Sequence, residues 1–207
     1  MAKYEYEIIT LGELGVNCVV LWCKDTKEGV VIDPGDEFDR IDNMIYSKQI
    51  KLKYILLTHA HYDHIGAVDK IRTNYNVELY AHKNAEEYLV DPQKNHSAYH
   101  DKEIIVENGM FLEDNAELRV GNLIIKLIHT PGHTKDCSCY FIDDIQPLLI
   151  SGDTLFKGTI GRTDLYGGDY KTIIKSIKTR LLVLPDETVV IPGHGRMTKI
   201  SDEKIYF

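Results

Sequence analysis

Short runs of apolar residues, separated by turn-forming residues, predict a series of β-strands with helices between them. Tyr4–Leu11 alternates apolar with polar residues, and Cys18–Cys23, Val30–Asp33 and Lys53–Leu57 are largely apolar runs of strand length. Asp36–Ser47 instead carries apolar residues three and four positions apart, which is the spacing of one helix face. The first part of the chain therefore predicts four strands and a helix, and the fourth strand runs directly into a polar segment.

The rest of the chain also alternates predicted strands with predicted helices. Apolar spacing predicts helices at Ile65–Tyr75, at Asn84–Val90 and near Tyr170–Leu182. The strands predicted here are Glu78–Ala81, several between Phe111 and His129, Cys139–Ile142, Leu148–Ser151 and Thr188–Ile191. Asp91–Asp101 is predicted to be a polar loop, and Lys157–Asp169 a glycine-rich one.

Strands that occur in runs with helices between them exclude two simple architectures. A purely parallel sheet would need a helix after nearly every strand, and a helix-free sandwich would have no place for the helical segments. No internal repeat, low-complexity segment or interdomain linker divides the sequence. We therefore predict a mixed α/β (α+β) fold in which residues 1–207 form one domain, long enough to bury its own core.

The composition excludes several classes of function. The chain has 207 residues and a formal net charge of -8, which repels polyanions, and it carries no basic patch for nucleic acid. No apolar run approaches the length of a membrane span, and Met1–Leu11 lacks the apolar core of a signal peptide. The four cysteines form no C-x-x-C pair, so we expect reduced residues packed in the core. These features predict a cytoplasmic protein with no nucleic-acid or membrane partner.

Histidine and aspartate residues cluster just after the ends of the predicted strands. Thr58-His59-Ala60-His61-Tyr62-Asp63-His64 follows the fourth strand, and His133, Asp153 and His194 each follow a glycine. Loops at strand ends commonly carry chemistry, and a neighbouring glycine lets the backbone turn sharply. Five of the nine histidines fall in such loops together with suitably placed aspartates, so we interpret the set as a metal site.

The mixture of imidazole and carboxylate groups indicates which ions such a site would take. It suits zinc, iron, manganese or cobalt better than calcium or magnesium. Three protein ligands for each ion would leave a position for water, and Asp153 could bridge two ions. Water shared by two cations loses a proton near neutral pH and becomes a nucleophile. Asp63 and Asp153 are then the expected catalytic residues, because they would position that bridging hydroxide.

The other four histidines are expected not to be ligands. They are His82, His96, His100 and His129. His96 and His100 belong to the polar loop, which we expect to be solvated, and the alternative that they reach a substrate stays open.

The ordered set of polar motifs resembles the metallo-β-lactamase superfamily. Thr58–His64 resembles its T-H-x-H-x-D-H signature, and the later ligand motifs are matched by His129-Thr130-Pro131-Gly132-His133-Thr134, Ser151-Gly152-Asp153-Thr154 and Pro192-Gly193-His194-Gly195. Together these motifs span most of the chain, and as a set they are highly specific for the superfamily.

The resemblance implies a fold and a set of ligands. The fold is a four-layer αββα sandwich of two mixed sheets flanked by helices, with the site at one edge. One metal would be held by His59, His61 and His133, the other by Asp63, His64 and His194, with Asp153 bridging them. Asp33 resembles a residue that orients the histidine loop, and the alternative of a simple strand-end turn stays open. Two divalent ions are expected, with zinc preferred and iron or manganese as alternatives.

Within the superfamily, Leu155–Asp169 resembles glyoxalase II-like hydrolases, especially their short single-domain bacterial type. Arg162 lies where full-length glyoxalase II has a basic residue that contacts glutathione, so it is the candidate for binding a substrate carboxylate. The alternative, an arginine that ties down its own loop through Asp164, is equally open. The chain ends thirteen residues after His194. We therefore expect no C-terminal helical glutathione-binding domain, which leaves the thiol specificity open.

These residues predict hydrolysis of a small-molecule thioester such as S-2-hydroxyacylglutathione. A thiolate leaves readily because the pKa of a thiol is about 8.5, and no proton donor stands out in the sequence. One alternative is a persulfide dioxygenase with a single iron on His59, His133 and Asp153. Lactone hydrolysis and a non-catalytic metal-binding module are further alternatives. The sequence leaves open whether the protein is a monomer or a homo-oligomer.

Overall fold

A computed structural model describes residues 2–207, and two six-stranded mixed sheets form its centre. In spatial order the first sheet contains β1 (Tyr4–Leu11), β2 (Val16–Cys23), β3 (Glu28–Ile32), β4 (Lys51–Leu56), β5 (Glu78–His82) and β6 (Met110–Leu112). Strands β1 to β3 pair antiparallel and β3 to β6 pair parallel. Parallel pairing brings the C-terminal ends of β3 and β4 to the same edge.

The second sheet is antiparallel apart from one central pair. Its strands are β7 (Glu117–Val120), β8 (Leu123–His129), β9 (Ser138–Ile142), β10 (Leu148–Gly152), β13 (Val189–Pro192) and β14 (Thr198–Lys199). Their spatial order is β14-β13-β10-β9-β8-β7, and only β10 and β13 pair parallel. A separate hairpin joins β11 (Leu155–Phe156) to β12 (Thr159–Ile160). The parallel pair places the ends of β10 and β13 side by side.

Helices cover the outer face of each sheet. They are α1 (Phe38–Ser47), α2 (Tyr62–Ile65), α3 (Val68–Tyr75), α4 (Glu86–Leu89), α5 (Tyr170–Ser176), which continues as a π-helical turn over Ile177–Leu181, and α6 (Ile200–Glu203). Single 3-10 turns lie at Lys83–Ala85, Ser97–Tyr99 and Lys204–Tyr206. None of the helices within residues 2–207 is long and apolar enough to cross a bilayer.

Three buried apolar layers hold these elements together, as β2 illustrates. Its residues Cys18, Val20 and Trp22 pack under α1 and α3, while Val19 and Leu21 point into the layer between the two sheets. A third layer joins β9 and β10 to α5. Because successive strand residues point to opposite faces, one wholly apolar strand supplies two layers. The αββα sandwich implied by the sequence is therefore confirmed.

Most of the predicted helix Ile65–Tyr75 is observed as α3 (Val68–Tyr75), but its start is wrong, because Ile65 ends the separate short helix α2 and a break follows it. At the break, the Ala67 amide donates to the Pro34 carbonyl at 2.9 Å. A Cβ on Gly66 would lie 2.2 Å from the Gly35 carbonyl oxygen, so this turn packs directly against the loop after β3. The packed segment is distant in sequence, and for that reason apolar spacing within the helix did not reveal the interruption.

All four cysteines are free and buried, as predicted. Hydroxyl groups accompany two of their thiols: Cys139 Sγ lies 3.3 Å from Thr130 Oγ1, and Cys137 Sγ lies 3.0 Å from Thr134 Oγ1. Burial raises the pKa of both thiols, so they stay protonated and pack as small core residues.

Candidate dinuclear metal centre

The seven histidines and aspartates predicted as ligands meet at one edge of the sandwich. They follow the ends of β4, β8, β10 and β13, where the C-terminal ends of the two parallel regions face each other. The Ser138 amide donates to the Thr58 carbonyl at 2.8 Å, and the Asn17 amide donates to the Gly193 carbonyl at 2.7 Å. These bonds join the two sheets directly beneath the ligands. Ligands from four separate segments of the chain therefore share one base.

His59, His61 and His133 converge on one point, which we call site 1. His61 Nδ1 lies 3.1 Å from His59 Nε2 and 3.0 Å from His133 Nε2. Nitrogens bound tetrahedrally to one zinc at about 2.0–2.1 Å would be about 3.3 Å apart, so the observed spacing fits a common ion. All three side chains are buried. Site 1 can therefore hold a metal through three imidazoles.

Asp63, His64 and His194 form the adjacent site 2. Asp63 Oδ2 lies 3.6 Å from His64 Nε2 and 3.2 Å from His194 Nε2. The His64 ring is completely buried, yet its Nε2 has no hydrogen-bond partner within residues 2–207. A buried polar atom without a partner is costly. A bound cation would satisfy it, so the donor set fits a second metal.

The carboxylate of Asp153 lies between the two sites. Its Oδ2 is 3.6 Å from His133 Nε2 of site 1, and its Oδ1 is 3.6 Å from His64 Nε2 of site 2. Oδ1 is buried and also lacks a hydrogen-bond partner in the described part of the chain. Each oxygen thus faces a different site, which is the arrangement required of a bridging ligand.

Backbone carbonyls orient two of the histidine rings from behind. His133 Nδ1 lies 2.7 Å from the Arg162 carbonyl oxygen, and His194 Nδ1 lies 3.0 Å from the Leu14 carbonyl oxygen. A carbonyl only accepts hydrogen bonds, so each Nδ1 carries a proton and a bound metal would take Nε2. This tautomer is the one that both sites need.

Asp33 supports the histidine loop, in agreement with the orienting alternative. Its two carboxylate oxygens accept from the Thr58 amide and the Thr58 hydroxyl, both at 2.7 Å. Its Oδ2 is also 3.1 Å from His64 Nδ1. Asp33 adopts a left-handed backbone with φ 53, and such strain in a non-glycine residue is typical of functional sites. One buried carboxylate therefore fixes both ends of Thr58–His64.

Two glycines allow backbone to approach the ligands closely. A Cβ on Gly35 would lie 1.7 Å from the Asp63 carbonyl oxygen, and one on Gly193 would lie 2.2 Å from Asp153 Oδ1. No larger residue fits at either position without displacing a ligand loop. Gly35 and Gly193 are therefore required for close packing against the ligand segments.

The two sites differ in electrostatics. At site 1, burial lowers the pKa of His59, His61 and His133, and neighbouring imidazoles lower the pKa of His59 and His61 further, which keeps these rings neutral. At site 2, burial opposes charge on His64, but Asp63, Asp33 and Asp153 outweigh it and raise its pKa to about 10. His64 and His194 in turn hold the pKa of Asp63 below its usual range, although burial opposes this. In the metal-free protein, site 2 therefore holds a proton that a cation would replace.

Asp136 supports the site and was missed in the sequence. Its Oδ2 accepts from the amide of Ala60, between two ligand histidines, at 2.9 Å. The side chain is 1% exposed, and burial raises the pKa of this carboxyl to about 7. The only sign of this role in the sequence is that an acidic residue lies two positions before the apolar strand β9.

The Arg162 side chain forms an ion pair within its own loop. Its Nε and Nη2 donate to the two carboxylate oxygens of Asp164, each at 2.8 Å. Both side chains are exposed, 61% and 67% respectively. The loop-tying alternative is therefore observed, and the backbone of Arg162 carries the contact to His133.

The remaining histidines divide into two pairs. His82 and His129 stack with ring centroids 3.8 Å apart, and neither belongs to a ligand group within residues 2–207. In the polar loop, the His100 ring stacks on Tyr62, while the His96 ring centroid lies 5.4 Å from that of His61. The loop is more ordered than the predicted solvated one, because it contains a 3-10 turn and buried side chains.

Comparison with known proteins identifies relatives along nearly the whole chain. Residues 11–194 match the model of the metallo-beta-lactamase superfamily. The probable metallo-hydrolase YqgX of Bacillus subtilis (strain 168) is 38% identical over 94% of this chain and 92% of its own length. The hydroxyacylglutathione hydrolase GloC of Haemophilus influenzae is 34% identical over 96% of this chain and 94% of its own length.

Solved structures agree with this relationship. The crystal structure of BLEG-1 B3 metallo-beta-lactamase superposes with a TM-score of 0.91 and 37% identity, covering 97% of each chain. That of TTHA1623 in a di-iron-bound form gives a TM-score of 0.84 and 32% identity over 96% of each chain. The chain therefore belongs to the metallo-β-lactamase superfamily.

Proposed function

We propose that this protein is a dinuclear metal hydrolase of thioesters, with S-2-hydroxyacylglutathione-like molecules as its substrate class. The observation that carries the proposal is the complete second ligand set beside the first, linked through Asp153. The buried, unpartnered His64 Nε2 supports a cation in site 2. The relationship to the hydroxyacylglutathione hydrolase GloC supports the substrate class.

The chain's own residues would hold and orient the reactants. When bound, two divalent cations supply a water of lowered pKa and polarise a carbonyl group. Asp153 lies between the sites and Asp63 lies in site 2, and their carboxylate oxygens would accept hydrogen bonds from a water and orient it. The carbonyl contacts to His133 and His194 keep their rings in place, so the site is organised before a substrate arrives.

A thioester suits the site because its leaving group needs little assistance. A thiol has a pKa of about 8.5, so a thiolate departs near neutral pH without a proton donor. An amide nitrogen requires one. The relationship to BLEG-1, named a B3 metallo-beta-lactamase, makes β-lactams the appropriate comparison substrate, and lactones a third.

Zinc is the metal we propose, with iron or manganese as alternatives, because imidazole and carboxylate ligands suit all three. The di-iron form of TTHA1623 supports iron as the first alternative. A reducing compartment, the cytoplasm, is proposed because all four cysteines are free and buried.

Arg162 is proposed to bind a carboxylate on the thiol part of the substrate. Its guanidinium group already forms a bidentate pair of hydrogen bonds with the carboxylate of Asp164. The pair is exposed, so an incoming carboxylate could take the place of Asp164 at low energetic cost.

A single-iron persulfide dioxygenase is the alternative that the test must distinguish from a dinuclear hydrolase. It would use His59, His133 and Asp153. In this chain His61 lies within 3.1 Å of both partner histidine nitrogens, and site 2 is built completely. These contacts favour two metals and hydrolysis.

The test combines elemental analysis with three assays on the purified protein. We expect two metal ions per chain and chelator-sensitive thiol release from S-2-hydroxyacylglutathione, with weaker β-lactam turnover and no oxygen uptake with glutathione persulfide. His64→Asn should lose one metal and most activity, whereas His82→Asn, a buried histidine outside both sites, should lose neither. Oxygen uptake with one iron per chain, or no chelator-sensitive thiol release, would overturn the proposal.

A further inference from the structure

The entrance to the metal centre has two chemically different flanks. On the site 1 side, the His96 ring meets that of His61 edge-on, at an interplanar angle of 90°. On the site 2 side, the Phe156 ring lies 6.3 Å from His194, and Leu14, whose carbonyl orients that histidine, is 56% exposed. One flank therefore offers hydrogen bonding and the other an apolar surface.

The backbone holds His96 in a conformation that its own side chain disfavours. Its φ is 69, in the left-handed region, where a residue with a Cβ is strained. Its neighbours Asn95 and Ser97 are completely buried. The Asn95 side chain donates to the Tyr88 and Ile104 carbonyls at 3.0 and 2.9 Å. The surrounding structure thus fixes the backbone of the loop that carries His96.

The same loop is also bonded to the ligand segment. The amide of Tyr62, the residue after His61, donates to the Asn95 carbonyl at 2.8 Å. His96 therefore cannot move independently of the histidine loop. Its distance from site 1 is set by backbone hydrogen bonds.

The His96 imidazole has no hydrogen-bond partner among residues 2–207. In contrast, His133 and His194 each use the ring nitrogen that points away from the metal sites. The His96 ring is half-buried at the entrance, so both of its nitrogens are available to a molecule entering the site. A strained, fixed and unpartnered imidazole beside a reaction centre indicates contact with a ligand.

We propose that His96 is a specificity-determining residue that hydrogen-bonds the hydroxyl group on the carbon next to the scissile carbonyl. This inference rests on the proposed thioester hydrolysis and deepens it. The His96 ring centroid lies 5.4 Å from that of His61, so a hydroxyl one carbon away from a carbonyl held at site 1 is within reach of the His96 nitrogens.

The test crosses one variant with two substrates that differ by one hydroxyl. His96→Gly is the variant, because glycine is the residue that best tolerates the left-handed backbone at this position. The substrates are the 2-hydroxypropanoyl and propanoyl thioesters of glutathione. We expect the variant to lower kcat/KM about 3- to 10-fold for the hydroxylated substrate, the effect of one lost hydrogen bond, and to leave the other unchanged.

His100→Ala is the matched control. It removes an imidazole from the same loop, but that ring stacks on Tyr62 instead of facing His61. It should change neither substrate's kcat/KM. Both variants should retain the wild-type metal content.

A second readout does not depend on turnover. Calorimetry with S-(2-hydroxypropyl)glutathione and S-propylglutathione, two inert thioethers, should give tighter binding of the hydroxylated compound to the wild type and equal binding to His96→Gly. Equal losses with both thioesters, or a preference that survives in His96→Gly, would overturn the inference. If the wild type cleaves neither thioester, the proposed function fails, and the calorimetry still decides the contact.

Discussion

The backbone carbonyl of Arg162 lies 2.7 Å from Nδ1 of His133, while the Arg162 side chain turns away to Asp164. One residue thus has two separate tasks. Its main chain orients a ligand of site 1, and its guanidinium is displayed at the surface. The next residue back is constrained as well, because a Cβ on Gly161 would lie 1.9 Å from the Asp153 carbonyl oxygen. A substitution of Arg162 can remove the side-chain contact and leave the main-chain contact to His133 in place.

Arg162→Ala should leave the metal content unchanged, because the contact to His133 uses only the main chain. We expect KM for a glutathione thioester to rise about 3- to 10-fold, since one charged contact at an exposed position is lost, with kcat unchanged. A thioester of an uncharged thiol should be unaffected. Steady-state kinetics on the two substrates, with elemental analysis, measure this. Loss of metal in Arg162→Ala would contradict the separation.

Asp33→Asn should weaken metal binding although Asp33 is not a ligand. The change removes the charge that accepts from Thr58 and faces His64, so the ligand loop and the His64 ring lose their anchor. Loss of such supporting contacts typically costs about 10- to 100-fold in metal affinity or activity. Competition with a chromophoric chelator gives the affinity. Asp39→Asn, an exposed acid on α1, serves as the control and should match the wild type.

Metal binding should release a proton from site 2 at pH 7. The pKa of His64 is raised to about 10 in the metal-free protein, so its ring is protonated at neutral pH and must lose that proton to become a ligand. Metal affinity should therefore rise with pH between about 6 and 9. Titration calorimetry in buffers of different ionisation enthalpy counts the protons. Binding of the second ion without proton release would show that His64 is neutral beforehand.

Asp136→Asn should stabilise the protein at high pH. Burial raises the pKa of this carboxyl from 3.8 to about 7, so the folded protein holds the proton more tightly than the unfolded chain. Its contribution is fully present below about pH 4 and is lost as the pH rises through 7. Asparagine keeps an acceptor for the Ala60 amide and never ionises. The variant should gain up to about 4 kcal/mol over the wild type at pH 8 and much less at pH 5. Denaturant unfolding at both pH values tests this, and an equal difference at the two would contradict it.

Much of the fold and of the ligand set could be predicted from the sequence. Apolar runs of strand length, with alternation in Tyr4–Leu11, identify the strands, and Gly- or Pro-flanked polar residues such as His133, Asp153 and His194 mark the strand ends. The ordered motifs then carried the resemblance to the superfamily. The break between α2 and α3 was not predictable, because it depends on contact with Pro34 and Gly35, which lie far from it in sequence.

The amino-acid sequence alone determined which segments are strands and which polar side chains follow them, because these depend on the pattern of polarity along consecutive residues. Only the tertiary structure decided which of those side chains share a site and by which atoms. Four contacts between segments that are distant in sequence show this. Asp33 accepts from Thr58, and the Arg162 carbonyl lies behind His133. Asp136 accepts from the Ala60 amide, and the His96 ring meets that of His61. The physical reason is that hydrogen bonds and desolvation depend on which residues are close in space, whereas hydrophobic periodicity depends only on residues that are close in sequence.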